Sequence, residues 1–135
     1  MRGRNSKVEA ISHVPLFSAA SKRELAQIAS IADELDLREG KEMTREGAPG
    51  REFFVILAGT ADVRRKGRRI RSLGPGDFFG EIALVSEKPR TATVTATSNL
   101  RALVITDRSF RRLIQEQPAI GVKVLQALAE RVSGD

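Results

Sequence analysis

The chain has 135 residues, of which 41% are hydrophobic and 30% charged; it has no cysteine and a single histidine, which excludes disulfides, thiolate metal sites, cysteine nucleophiles, multi-histidine metal centres and most histidine-dependent triads. Its formal charge of +6, from 23 Lys and Arg against 17 Asp and Glu, favours anionic ligands, nucleic acid or anionic membrane through a long-range field but specifies none of them. No apolar run approaches the about 20 residues that span a bilayer, and no signal-peptide core opens the chain, so a cytoplasmic protein is expected.

The N-terminal third reads as helical. Lys7 to Ser12 predicts a short helix and Val14-Pro15-Leu16-Phe17 an apolar turn. Ser21 with Glu24 forms an S-x-x-E capping box, behind which Leu25, Ile28, Ala29 and Ala32 recur at helical spacing. From Asp33 the pattern changes, and Gly40, Gly47, Gly50, Gly59, Gly67, Gly74, Gly76 and Gly80 punctuate short segments as turn residues do. Between them, Glu52 to Ala58 is an apolar run suited to a strand buried on both faces. Thr60–Arg65 and Arg68–Leu73 flank Lys66-Gly67, a tight hairpin turn. Thr93–Thr97 and Leu100–Ile105 supply further strands. Many short strands at near-regular spacing point to a barrel or jelly roll. After Thr106 the pattern is helical again: Asp107 caps a helix burying Phe110, Leu113 and Ile114, and Pro118 sits in the first turn of a second helix with Val122, Leu125, Leu128 and Val132 as apolar positions.

The chemistry concentrates between Gly74 and Ala96. Gly76-Asp77-Phe78-Phe79-Gly80 leads into Glu81-Ile82-Ala83-Leu84-Val85, enough for little more than one helical turn. The N-terminus of such a turn offers amide N–H groups to an anion; Gly80, without a Cβ, lets backbone approach a ligand, and the small Ala83 leaves its own N–H accessible. Arg90 returns after the Ser86-Glu87-Lys88-Pro89 turn with a charge that does not deprotonate at physiological pH. Glu81 and Arg90, nine positions apart, are suited to hold a sugar hydroxyl and a phosphate; as isolated residues they would equally suit an ordinary salt bridge worth about 0–1 kcal/mol.

This stretch, F-G-E-I-A-L, a turn, then P-R-T-A-T-V, resembles position by position the phosphate-binding cassette of the cyclic nucleotide-binding domains of protein kinase regulatory subunits, cyclic nucleotide-gated channels and bacterial receptor proteins. Val14-Pro15-Leu16-Phe17 with Ser21–Leu25 resembles the family's N-terminal helical motif, and the resemblance extends over roughly residues 8 to 132. It implies a mainly β fold with flanking helices: a double-stranded β-helix, or jelly-roll-like β-roll, between an N-terminal helical motif and two C-terminal helices. One domain of residues 1–135 is expected, with the helical motif at about 5–32, the roll at about 33–106 and the C-terminal helices at about 107–133.

By the same resemblance the ligand-binding residues are Gly80, Glu81, Ile82, Ala83, Arg90, Thr91 and Ala92. Glu81 would take the ribose 2′-hydroxyl and Arg90 the cyclic phosphate, assisted by amides near Ala83 and by the Thr91 peptide. The ligand would be cyclic AMP by preference or cyclic GMP, whose guanine amino group the Thr91 hydroxyl would also accommodate; no other cofactor, metal or catalytic residue is implied. With no Trp or Tyr to stack on a base, the C-terminal lid is undefined, and Leu125, Leu128 and Val132 read as core contacts. The implied function is a non-enzymatic sensor that signals through its C-terminal helices to a protein effector in trans or a fused output domain. Two rivals remain. Arg64-Arg65-Lys66-Gly67-Arg68-Arg69, followed by Arg71, would suit a nucleic-acid-binding hairpin, but it has no interleaved aromatics and reads better as a solvated tip. The other rival is a protein-interaction scaffold with a silent pocket. A cupin-type metalloenzyme lacks the histidines, and His13 reads as a surface or helix-packing residue.

Overall fold

Residues 4–133, with the side chains of residues 7–130, are described by the structure, a computed structural model. They group into two compact units: the residues up to Ala32 with those from Arg108 onward, and Asp33–Asp107.

The Asp33–Asp107 unit contains eight strands: β1 (Asp33–Leu37), β2 (Glu42–Thr44), β3 (Glu52–Ala58), β4 (Ala61–Arg65), β5 (Arg68–Leu73), β6 (Phe78–Phe79), β7 (Thr93–Ala96) and β8 (Leu100–Thr106). They form two four-stranded antiparallel sheets, ordered β1-β8-β3-β6 and β2-β7-β4-β5. Strand β3 is central because its sequence carries no turn residue and four consecutive apolar side chains, Phe53 to Ile56, all buried. Its pairing with β8 sets Phe54 opposite Val104. Phe54 and Ile56 turn into a core shared by both sheets, joining Val63, Leu73, Phe79 and Val94. Phe54 and Phe79 stack there with ring centroids 4.9 Å apart. Burying each such side chain contributes about 1.5–3 kcal/mol.

Lys66 and Gly67 join β4 to β5 with φ of 53° and 77°, the positive pair of a type I′ hairpin turn. The register then slips: Val63 faces Arg71 but Arg64 faces Arg69, leaving Ile70 as an extra, bulged residue. Strands β1, β2 and β6 were not anticipated. Strand β1 is mostly charged and exposed at four of its five positions, so it has no alternation to read; backbone pairing with β8 makes it a strand.

The other unit takes elements from both ends of the sequence: α1 (Arg4–Ser12), a 3-10 turn at Pro15–Phe17, α2 (Lys22–Ser30), α3 (Asp107–Glu116) and α4 (Pro118–Ser133). The capping box is present, with Ser21 Oγ accepting from the Glu24 amide at 3.2 Å and Glu24 Oε1 accepting from the Ser21 amide at 2.8 Å. Asp107 opens α3 as its first helical residue, and its amide donates to the Arg51 carbonyl at 2.8 Å. Pro118 is the first residue of α4, where its missing N–H costs nothing. Phe17 and Phe110 meet with ring centroids 6.0 Å apart, and Lys123 Nζ lies 2.5 Å from Glu24 Oε1. His13 is exposed.

Candidate functional site

The segment entering the site is built on turns. Asp77 Oδ2 accepts from the Gly74 amide at 2.7 Å, closing the Gly74–Asp77 turn, while Gly76 and Asp77 exchange 2.8 Å hydrogen bonds with Ile56. This anchors the approach to β3 before the chain pairs briefly as β6. Gly80 follows with φ +83°, a conformation that strains any other residue; a Cβ there would also sit 2.6 Å from Arg90 Nη1 and 2.7 Å from the Glu52 carbonyl. Glu81–Leu84 then makes a single 3-10 turn.

The Ala83 amide donates to the Gly80 carbonyl at 3.0 Å, and Ala83 is 5% exposed, so its N–H closes the turn in this structure. Four residues in a 3-10 turn also align too few peptide dipoles to act as a helix N-terminus. Among the side chains beside this turn, Arg90 is a cation that lines the cavity described below.

Arg90 is held at both ends. Its amide donates to the Ala48 carbonyl at 2.9 Å and its carbonyl accepts from the Gly47 amide at 2.8 Å. Its guanidinium donates through Nη2 to the Glu52 carbonyl at 2.6 Å, with the Glu52 carboxylate 3.8 Å away. The arm runs close against Gly50, where a Cβ would meet Cδ and Nε at 2.5 Å and Cζ at 2.8 Å. The side chain is 9% exposed, and burial pushes the guanidinium below its ordinary value while the charge of Glu52 opposes that shift. A cation this enclosed presents a fixed fork of donors to an anion.

A cavity of about 470 Å³ opens beside it, within the about 300–1,000 Å³ usual for small-molecule sites. Gly80, Glu81, Ile82, Ala83, Arg90, Thr91 and Ala92 all line it. Glu81 is half-buried, Thr91 exposed, and Ile82 offers an apolar surface at 48% exposure. Sequence reasoning missed the opposite wall, where Val63, Arg65, Ile70 and Arg71 of the hairpin join Phe78 and Thr44. The bulge lets the successive residues Ile70 and Arg71 both reach the cavity. Thr44 is buried with its hydroxyl satisfied, donating to the Ala92 carbonyl at 3.0 Å and accepting from the Val94 amide at 3.2 Å.

The hairpin's basic cluster is thus divided. Arg65 and Arg71 line the cavity, and Arg65 Nε donates to the Thr91 carbonyl at 3.1 Å. Arg64 and Arg69 pair instead with Asp62, at 3.9 and 3.4 Å, and Arg69 also donates to Ser72 Oγ. Of the three α4 residues expected as core contacts, Leu125 is instead 66% exposed and Leu128 is half-buried, while the Val132 side chain lies outside the described residues.

An enclosed arginine, a carboxylate on the same wall and an apolar shelf are the parts needed to hold a phosphorylated sugar with an attached base. The family model of the cyclic nucleotide-binding domain matches residues 34–117, and the chain belongs to that family. It is 37% identical over 134 residues to a cAMP-dependent protein kinase regulatory subunit of Mycosarcoma maydis, a match covering 90% of this chain and 24% of that protein. Among solved structures it is similar to the N-terminal domain of a transcriptional regulator from Streptomyces coelicolor A3(2), with a TM-score of 0.85 and 27% identity over 93% of each chain. It is also similar to cAMP-bound PfPKA-R, with a TM-score of 0.72 and 26% identity over 94% of this chain and 46% of that one. The chain spans under a third of the length of the curated relatives compared with it. No helix among the described residues is long and apolar enough to cross a membrane.

Proposed function

We propose that this chain is a non-enzymatic cyclic nucleotide sensor whose ligand occupies the Glu81/Arg90 cavity. The observation that carries this reading is the enclosed Arg90 guanidinium on the wall of a cavity that Glu81 also lines. Arg90 would hold the cyclic phosphate, Glu81 the ribose 2′-hydroxyl, and Thr91 and Ala92 the edge of the ligand. Ile70 and Ile82 would give the base an apolar seat in place of an aromatic ring. Cyclic AMP is the first choice, supported by the ligand named for the kinase relative and for PfPKA-R.

A specific observation favours a second reading, cyclic GMP. Arg71 lines the cavity and carries only donors, which suit the O6 and N7 acceptors of guanine better than the donor–acceptor edge of adenine. The exposed Thr91 hydroxyl is compatible with either nucleotide.

Ligand would shift α3 and α4 from one packing arrangement to another, by as much as its affinities for the two arrangements differ. The exposure of Val122 and Leu125 on α4 supports this, since both are apolar side chains available to a second arrangement. The signal would pass to a protein effector in trans or to an output domain on the same polypeptide.

Isothermal titration with cyclic AMP and cyclic GMP, with Arg90→Ala as control and thermal melts alongside, tests the reading. Saturable binding that the control loses is the expected result, and the affinity ratio chooses the nucleotide. No binding and no rise in melting temperature with either ligand would reject it. Unchanged chemical shifts from Phe110 to Val132 at saturation would reject the helix shift alone.

A further inference from the structure

The partner that Arg90 holds is Glu52, the first residue of β3. Two different groups of Glu52 are involved. Its carbonyl takes a 2.6 Å hydrogen bond from Nη2, and its carboxylate stands 3.8 Å from the same nitrogen. The carbonyl belongs to the backbone of a strand fixed by pairing with β8, where Glu52 lies opposite Thr106. The carboxylate ends a half-exposed side chain that makes no part of the strand's backbone pairing. Position and charge are therefore separable: the carbonyl and the walls at Gly50 and Gly80 place the guanidinium, and the carboxylate only neutralises it.

A carboxylate beside an enclosed guanidinium has two opposed effects on an incoming phosphate. It offsets the arginine's charge before the ligand arrives, and it repels the ligand's own negative charge afterwards. Solvent exposure weakens both effects without abolishing them, because the pair sits beside a side chain that is mostly out of water.

We infer that Glu52 is a built-in counter-anion that competes with the ligand phosphate for Arg90 and so lowers the affinity of the site. The inference rests on the sensor reading above. Such a residue sets the ligand concentration at which the sensor responds without touching the ligand, acting only through the charge of Arg90.

The test is titration of the wild-type chain, Glu52→Gln, Glu52→Ala, Arg90→Ala and the Glu52→Gln/Arg90→Ala double variant with cyclic AMP and cyclic GMP, at about 0.05 M and about 0.5 M salt. Both Glu52 variants keep the backbone carbonyl contact and lose the charge. They should bind about three- to tenfold more tightly than wild type at low salt, with the gain shrinking at high salt. Their melting temperatures should not rise, which separates this effect from general stabilisation. In the Arg90→Ala background the substitution should give no gain. A purely structural Glu52 would weaken binding when replaced. Equal or weaker affinity in both Glu52 variants, with wild type binding normally, overturns this inference and leaves the sensor reading standing. Binding by neither wild type nor the variants overturns both. Binding detectable only after the substitution supports the inference.

Discussion

Gly50 carries no left-handed backbone angle; the space at its Cα is taken by the arm of Arg90. A methyl group there has to displace the arginine. Gly50→Ala should destabilise the fold by about 1–3 kcal/mol through overpacking and weaken nucleotide binding, and Gly50→Ala/Arg90→Ala should recover most of the stability but none of the binding. Thermal melts and titration of the pair check this. Arg90→Lys keeps the charge but loses the fork, so titration should show affinity falling roughly 10- to 100-fold. Glu81→Ala should cost about 1–3 kcal/mol, less than Arg90→Ala, which removes the charge as well as the fork. The residues readable from sequence were those in one contiguous stretch, Gly80 to Ala92. Glu52 lies 38 positions from Arg90 and Arg65 26 from Thr91, and only the folded chain brings them together. Nothing in the basic run 64–69 distinguishes the arginine that faces the cavity from the two that face Asp62.

Elements whose signal is local were legible, and those whose signal is pairing were not. Strand β3, the β4–β5 hairpin, the capping box of α2 and the proline at the start of α4 each announce themselves within a few residues. Strand β6 has two residues and β2 three, and each is a strand only because a partner is in place. The hairpin turn yields a prediction. Lys66 holds φ +53°, a region that Asn tolerates better than Lys. Lys66→Asn should therefore raise stability by about 0.5–1 kcal/mol in denaturant melts, with binding unchanged. The charges on the β1 edge have their own role: Asp33, Glu34 and Asp36 line an edge strand, where charged side chains oppose edge-to-edge association. Arg101 answers two of them, lying 3.9 Å from Glu34 and 3.0 Å from Asp36.

At the scale of the whole molecule, a polar tie joins Lys123 to Glu24, 99 positions apart. The Lys123 ammonium, and then the Ser21 amide, hold the Glu24 carboxyl below its ordinary value of 4.5. A carboxylate lowered on folding contributes stability that is complete above its ordinary value and is lost as the pH falls through its folded value. Acid should therefore destabilise the helices containing Glu24 and Lys123 below about pH 4.5, and Glu24→Gln should flatten that part of the profile. Melts from pH 7 to about pH 3 read the difference. This pair was invisible in the sequence, where Glu24 reads only as half of a capping box.

The helical unit draws its first and last elements from opposite ends of the chain, and this governs how the protein emerges from the ribosome. Strand β1 pairs with β8 and β2 with β7, so the sheets close only when residues near 100 have been made. Ile11, Phe17 and Ile28 are synthesised before the sheets, yet Phe110, Ile120 and Val124, which complete the apolar interior of their unit, follow them. Between the synthesis of α2 and that of α3, the apolar faces of the first two helices therefore lack their later partners, the condition in which exposed apolar surface is prone to aggregate. Residues made after the sheets complete the shelter of residues made before them.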